Sequence, residues 1–375
     1  MKNGKTFERA VRAIQEWKIR AGQNPLSYDF QCERTACVES TLDVVRAMLP
    51  YHTQWKHVAG TLPGLAWVWI LSTIAQSAPL LEYLEVIPHG GYQTYATVNI
   101  SLSSVPRLRY LSIPLNNVRL VPGVTNLHGI RTLQFTGGAM SVEDCMSCLA
   151  HCPNLEICRM TCADQLRYNG RGVGNVIEAT HLTHFHLTAQ HDAAACFDRL
   201  YAPVLIDLEI LITARPYPGT SSRWTHVRSF LERSKSPLQS LVVDNPLMGE
   251  DDLIDCLRLV PHLTSLWIRS GSSLTDRGIG FLTLSPYNDI CQDLQTLTVS
   301  AGERVCSLRS MESLILSRWP GRRANLMNDT EHPSPMWKRE LRKICLIGFA
   351  FFIYSFELPS IQECIDEGFR LTNYL

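Results

Sequence analysis

The densest group of potential metal ligands in the chain is Cys145-x-x-Cys148-x-x-His151-Cys152, followed closely by Cys158 and Cys162. Thiolates and an imidazole at such spacing are what a structural zinc site uses. Three features point instead to buried thiols. Cys145 falls on the apolar stripe of an expected helix, Cys158 takes an apolar strand position, and no second Cys-x-x-Cys stands at a finger-like distance. The expectation is no metal and no cofactor. A second group, His181, His184, His186 and His191, places His184 and His186 two residues apart, on one face of a strand, where they would chelate or titrate together or simply face a partner.

Other chemistry has weaker support. Gly170-Arg-Gly172-Val-Gly174 has no strand before it and no Gly-Lys-Ser/Thr ending, so it reads as a turn and not a phosphate cradle. Asp251-Asp252 opens a helix, where carboxylates complement the helix dipole. Arg318 to Arg323, beside Trp319, opens a Pro-, Asn- and Asp-containing stretch and reads as a solvated linker. No Gly-x-Ser-x-Gly elbow, His-Glu-x-x-His helix or kinase motif set occurs. No catalytic residue is assigned, and the chain is not expected to be an enzyme.

The elements that must position these residues announce themselves by repetition. Ten segments carry an apolar residue followed at +3 and +5 by two more, beginning at Leu81, Leu108, Ile130, Leu155, Leu182, Leu205, Leu238, Leu263, Leu294 and Leu341. Their starts lie 27, 22, 25, 27, 23, 33, 25, 31 and 47 residues apart, which brackets the roughly 20–29 residues of a leucine-rich repeat. The alternation at +3 and +5 suits a short strand with one buried face. Between strands there is room for a helix, as at 141–150 (Val142, Cys145, Met146, Leu149) and 251–260 (Leu253, Ile254, Leu257, Val260), each stopped by a proline, Pro153 or Pro261. Two earlier units follow the same plan at Pro25–Phe30 and from Trp55, with a helix over Val38–Leu49 between them.

The fold class expected is α/β: a leucine-rich-repeat solenoid, horseshoe-shaped, with a parallel sheet on the concave face and helices on the convex one. The chain is expected to be one such array, with a capping helix over 1–25, repeats over 26–347 interrupted by a long loop at about 318–338, and a C-terminal cap over 348–375 that includes a short helix ending at Gly368.

Composition narrows the partners. Lys plus Arg and Asp plus Glu number 35 each, so no net field favours nucleic acid or an anionic membrane. Thirteen cysteines, mostly at apolar positions, suit reduced thiols in the cytoplasm or nucleus. The amphipathic start (Phe7, Val11, Ile14, Trp17) is not a secretory signal. The longest apolar run, Ile344–Phe356, is 13 residues, short of the roughly 20 a bilayer span requires.

The flanks carry a family resemblance. The run Phe7 to Leu26 with Glu16-Trp17 and Asn24-Pro25-Leu26-Ser27, the segment Met48-Leu-Pro-Tyr-His-Thr-Gln-Trp55-Lys-His-Val58, the Pro-x-Leu-x-x-Leu strands, Ser317-Arg318-Trp319, and the closing Leu358-Pro and Gln362-Glu-Cys364-Ile-Asp-Glu-Gly368 together resemble the leucine-rich-repeat region of the F-box proteins of mushroom-forming (basidiomycete) fungi. The resemblance spans nearly the whole chain. It implies an intracellular protein-binding solenoid, similar to the substrate-recognition part of a ubiquitin-ligase receptor. In that family a three-helix F-box, typically opening Leu-Pro-x-Glu, precedes the repeats and recruits the Skp adaptor of a cullin ligase. No Leu-Pro-x-Glu stands before Leu26, so the expectation is a repeat region without its F-box, contacting the adaptor only if an F-box lies upstream. The alternative is a leucine-rich-repeat scaffold or sensor unrelated to ubiquitin transfer.

In either case the expected binding residues are those at +2, +4 and +6, outward on the concave face: Tyr83, Glu85, Tyr110, Gln134, Arg159, His184, His186, Asp207, Glu209, Asp244, Trp267 and Arg269. Aromatic and arginine side chains are the types enriched at binding hot spots, which singles out Trp267 and Arg269.

Overall fold

In all ten repeats the side chains at 0, +3 and +5 are no more than 3% exposed, so each repeat contributes three buried side chains to the core of its own unit. The computed structural model describes residues 4–32, 38–89, 98–114, 118–121, 129–162, 175–213, 223–269, 274–285, 287–300, 306–319, 341–347 and 358–374. The chain forms two compact units, Met1–Leu182 and Thr183–Leu375. Gly170–Gly174, the loop from 320 and the phenylalanines at 349, 351, 352 and 356 lie outside the described residues.

The first unit begins with α1 (Gly4–Ala21), followed by β1 (Leu26–Gln31), α2 (Val38–Met48), β2 (Trp55–Pro63), α3 (Gly64–Gln76) and β3 (Tyr83–His89). Then come β4 (Val98–Ser101), β5 (Tyr110–Ile113), β6 (Val118–Val121), β7 (Thr132–Met140), α4 (Val142–His151), β8 (Ile157–Cys162) and β9 (Ile177–Glu178). Six strands stack in the order β1-β2-β3-β5-β7-β8, every pair parallel. A separate parallel pair, β4 with β6, was not signalled by the repeat pattern. The α4 helix starts at a capping box, in which the Ser141 hydroxyl accepts from the Asp144 N–H and Asp144 reaches back to the Ser141 N–H.

The second unit runs β10 (His184–Ala189), α5 (Ala194–Arg199), β11 (Leu200–Tyr201), β12 (Asp207–Ile212), α6 (His226–Ser234), β13 (Ser240–Asp244), α7 (Glu250–Arg258), β14 (Ser265–Ile268), α8 (Asp276–Leu282), β15 (Thr296–Ser300), α9 (Leu308–Arg318), β16 (Lys343–Ile347), α10 (Pro359–Asp366) and β17 (Arg370–Tyr374). Seven strands follow the order β10-β12-β13-β14-β15-β16-β17, again all parallel. Parallel neighbours need a crossover, and the intervening helices supply it. The last strand lies beyond the leucine pattern: after α10 the chain turns at Gly368 (φ +110°) and runs alongside β16. Its segment has no leucine triplet, so the periodic signal stops before the strands do.

Helix starts tie one repeat to the next. The Glu250 carboxylate on α7 accepts from the Thr275 N–H at 2.6 Å and the Gly278 N–H at 3.0 Å, at the opening of α8. Asp276 on α8 accepts in turn from the N–H of Ser307, the N-cap of α9, at 2.5 Å. Asp252 accepts from the Trp224 N–H at 3.1 Å. The acidic pair read as a dipole complement is thus half buried as a cross-repeat cap, with Asp252 only 4% exposed.

Candidate functional site

Registered parallel strands line up outward side chains in rows. In the second unit one row runs His184, Asp207, Ser240, Ser265, Thr296, and the next His186, Glu209, Val242, Trp267, Thr298. His186 stands between two carboxylates, with Nε2 3.0 Å from Asp207 Oδ2 and Nδ1 2.8 Å from Glu209 Oε2. Only a doubly protonated imidazole donates to both at once. Glu209 also faces Arg269, Oε1 to Nη2 at 3.8 Å, and the Arg269 guanidinium lies 4.2 Å over the Trp267 ring. The result is a chain of contacts from Asp207 through His186, Glu209 and Arg269 to Trp267. Burial pushes the Asp207 carboxyl upward, but hydrogen bonds from His186 and Ser240 and the charge of the two histidines outweigh it and hold the group below its ordinary value.

Trp267, expected to be exposed, is half-buried beneath Arg269. Its Nε1 and the Arg269 Nε are shielded and have no hydrogen-bond partner among the described residues. His184 contacts Thr183 Oγ1 through Nδ1 at 2.9 Å. Asp244 is level with Leu211 at the far end of β13. His181 is exposed in the turn before β10, and His191 follows that strand, so the four histidines do not converge.

In the first unit Tyr83 and Tyr110 are stacked, ring centroids 4.2 Å apart and planes within 4°. His57 extends the stack at 4.3 Å and 10°. The spacing is that of neighbouring strands, about 4.8 Å. The Tyr83 hydroxyl donates to Glu85 at 2.9 Å. Gln134 and Arg159 continue the Glu85 row through Ser112, Gln134 half-buried and Arg159 exposed. Sequence reasoning missed His57, although it lies at +2 from Trp55 just as Tyr83 and Tyr110 lie at +2 from their leucines.

The described cysteines form no ligand set. Cys145, Cys148, Cys152, Cys158 and Cys162 are all buried, and Cys145 and Cys162 face each other Sγ to Sγ at 3.0 Å. Burial pushes the Cys148 thiol up strongly and Cys152 to about 12. His151 is engaged with the Ser147 carbonyl oxygen at 2.7 Å. Among the described residues no group of three or more His, Cys, Asp or Glu is placed to hold a metal ion.

Arg318 corrects the linker reading. It is 4% exposed and its guanidinium donates to the carbonyl oxygens of Leu282 (2.7 Å), Cys291 (2.8 Å) and Ile290 (2.9 Å). It satisfies the end of α8 and the turn after it, so it is a structural group. No helix among the described residues is long and apolar enough to cross a membrane.

No protein-family model matches the chain, and no curated protein matches it either.

Proposed function

We propose that the chain is a non-catalytic, protein-binding leucine-rich-repeat solenoid of the horseshoe kind, similar to the substrate-recognition part of an F-box ubiquitin-ligase receptor. The observation that carries this is the cluster of Arg269 stacked on Trp267, braced by Glu209 and His186, on the sheet face opposite the buried +3 and +5 positions. A half-buried aromatic under an arginine, with donors left unpaired beside it, is the composition of a binding hot spot. The uniformly buried 0, +3 and +5 positions support the repeat reading, because they leave +2 and +4 as the surface that can vary.

Affinity capture with the wild type and with Trp267→Ala/Arg269→Ala tests it. The double variant is expected to recover its partners at least about tenfold less well, as hot-spot truncations of about 1.4 kcal/mol or more require. Equal recovery of the same partners would sink the assignment. Co-capture of a Skp-type adaptor with the full-length protein supports the ubiquitin role, and retained partners without adaptor favour a scaffold.

A further inference from the structure

The stacked rings of the first unit end abruptly on one side. Tyr110 is followed across the sheet by Thr132, but beyond His57 the level position on β1 is Ser27, small and exposed. At that end lies a pocket of about 480 Å³, lined by Ser27, Asp29, Lys56, His57, Glu82 and Tyr83. The face of a ring stack terminates where a planar group has room to add one more layer.

The charges around it select which planar group. Lys56 is answered by Glu82 at 3.7 Å. Among the described residues Asp29, exposed at the rim, has no charged partner, and Glu85, two strands along the same row, accepts from the Tyr83 hydroxyl. Asp29 and Glu85 stand two strand spacings apart, about 10 Å. Of these two carboxylates Asp29 lines the pocket, so the pocket offers carboxylate charge next to an aromatic face. A guanidinium satisfies both demands, since it is planar, permanently charged, stacks on rings and pairs with carboxylates. An ammonium lacks the plane, and a nucleotide base brings phosphates that the carboxylates repel.

We infer that this pocket receives an arginine side chain of a protein partner, its guanidinium stacked on His57 as the next layer of the ladder and paired with Asp29. The inference rests on the protein-binding reading but uses a different unit from the Trp267 cluster, so the two fail separately.

The test is fluorescence polarisation of a fluorescein-labelled Gly-Ser peptide bearing arginines, titrated with the full chain, against otherwise identical peptides bearing lysine or citrulline. The arginine peptide is expected to bind about tenfold more tightly than either, because only it joins charge to planarity. Asp29→Asn should weaken it about tenfold. Ser27→Phe, which fills the open end of the stack at an exposed position, should abolish binding with an unchanged melting temperature. Trp267→Ala/Arg269→Ala should bind the arginine peptide like the wild type. Equal affinity for the lysine or citrulline peptide, competition by a single-stranded oligonucleotide, or unchanged binding by both Asp29→Asn and a folded Ser27→Phe would each overturn the inference. Loss of partner capture in the Trp267/Arg269 variant alongside no arginine preference in the wild type would leave the protein-binding reading standing and remove the pocket.

Discussion

Buried polar and sulfur atoms decide more of this molecule than its exposed charges do. Arg318 sits where a hydrocarbon would be expected, and three carbonyl oxygens make that tolerable. Cys291 likewise donates to the carbonyl oxygens of Leu257 and Val260, at 3.6 and 3.8 Å, and the burial of the thiols has a consequence in alkali. Cys152 and Cys291 are each pushed from an ordinary value of 9.0 up to about 12, by desolvation that penalises the thiolate. In the unfolded chain both ionise near the ordinary value, whereas the folded protein keeps them protonated. Between about pH 9 and 12 the native state therefore binds more protons, and stability falls as pH rises, by about 1.4 kcal/mol per pH unit per thiol. Urea midpoints measured from pH 8 to 11 should decline along this slope. Cys152→Ala/Cys291→Ala should make it shallower, the other buried thiols keeping the remainder, and a variant with the wild-type slope would show that these two thiols are not what titrates.

At the scale of elements, the close contact between β1 and β2 is the most demanding. Gly60 on β2 has φ +122°, and a Cβ there would lie 2.1 Å from the Phe30 carbonyl oxygen. Both the backbone conformation and the space require glycine. Gly60→Ala should destabilise the protein by about 3 kcal/mol or more, since backbone on backbone cannot yield as a side chain can. The readout is chemical denaturation, and a loss under about 1 kcal/mol would mean that the strands separate cheaply. The strand positions were legible because the leucine period is a local signal repeated ten times. What crosses between strands was not. The His57, Tyr83 and Tyr110 stack exists only once register is fixed, and register is a property of pairs of strands far apart in the chain. The same reason hid the Glu250 cap of α8 and the burial of Arg318, each made with residues 25 or more positions away. β17 escaped because its segment keeps only the +3 residue of the triplet, Leu371 level with Ile344, while Asn373 stands level with Leu346 at +5.

For the molecule as a whole, 35 basic and 35 acidic residues leave no long-range field to gather partners. Selection must act through local groups such as Asp29 beside His57 or Arg269 over Trp267. Stability is distributed in the same local way. Each strand of a parallel stack touches only its neighbours, so opening one costs the contacts to the strand on either side. In the strand order β1 pairs only with β2, and β17 only with β16, whereas β12 to β15 are paired on both edges. Local opening should therefore be cheapest at Leu26–Gln31 and Arg370–Tyr374 and most expensive at Asp207–Ile212 and Ser265–Ile268. Hydrogen exchange followed by mass spectrometry should show the first two segments exchanging at least about tenfold faster than the last two, which corresponds to about 1.4 kcal/mol of opening free energy. Uniform protection across all four would mean that opening is global and the nearest-neighbour account fails. The gradient also bears on the arginine pocket, because Ser27 and Asp29 belong to the end strand β1. A bound arginine peptide should slow exchange over Leu26–Gln31 while leaving Ser265–Ile268 unchanged.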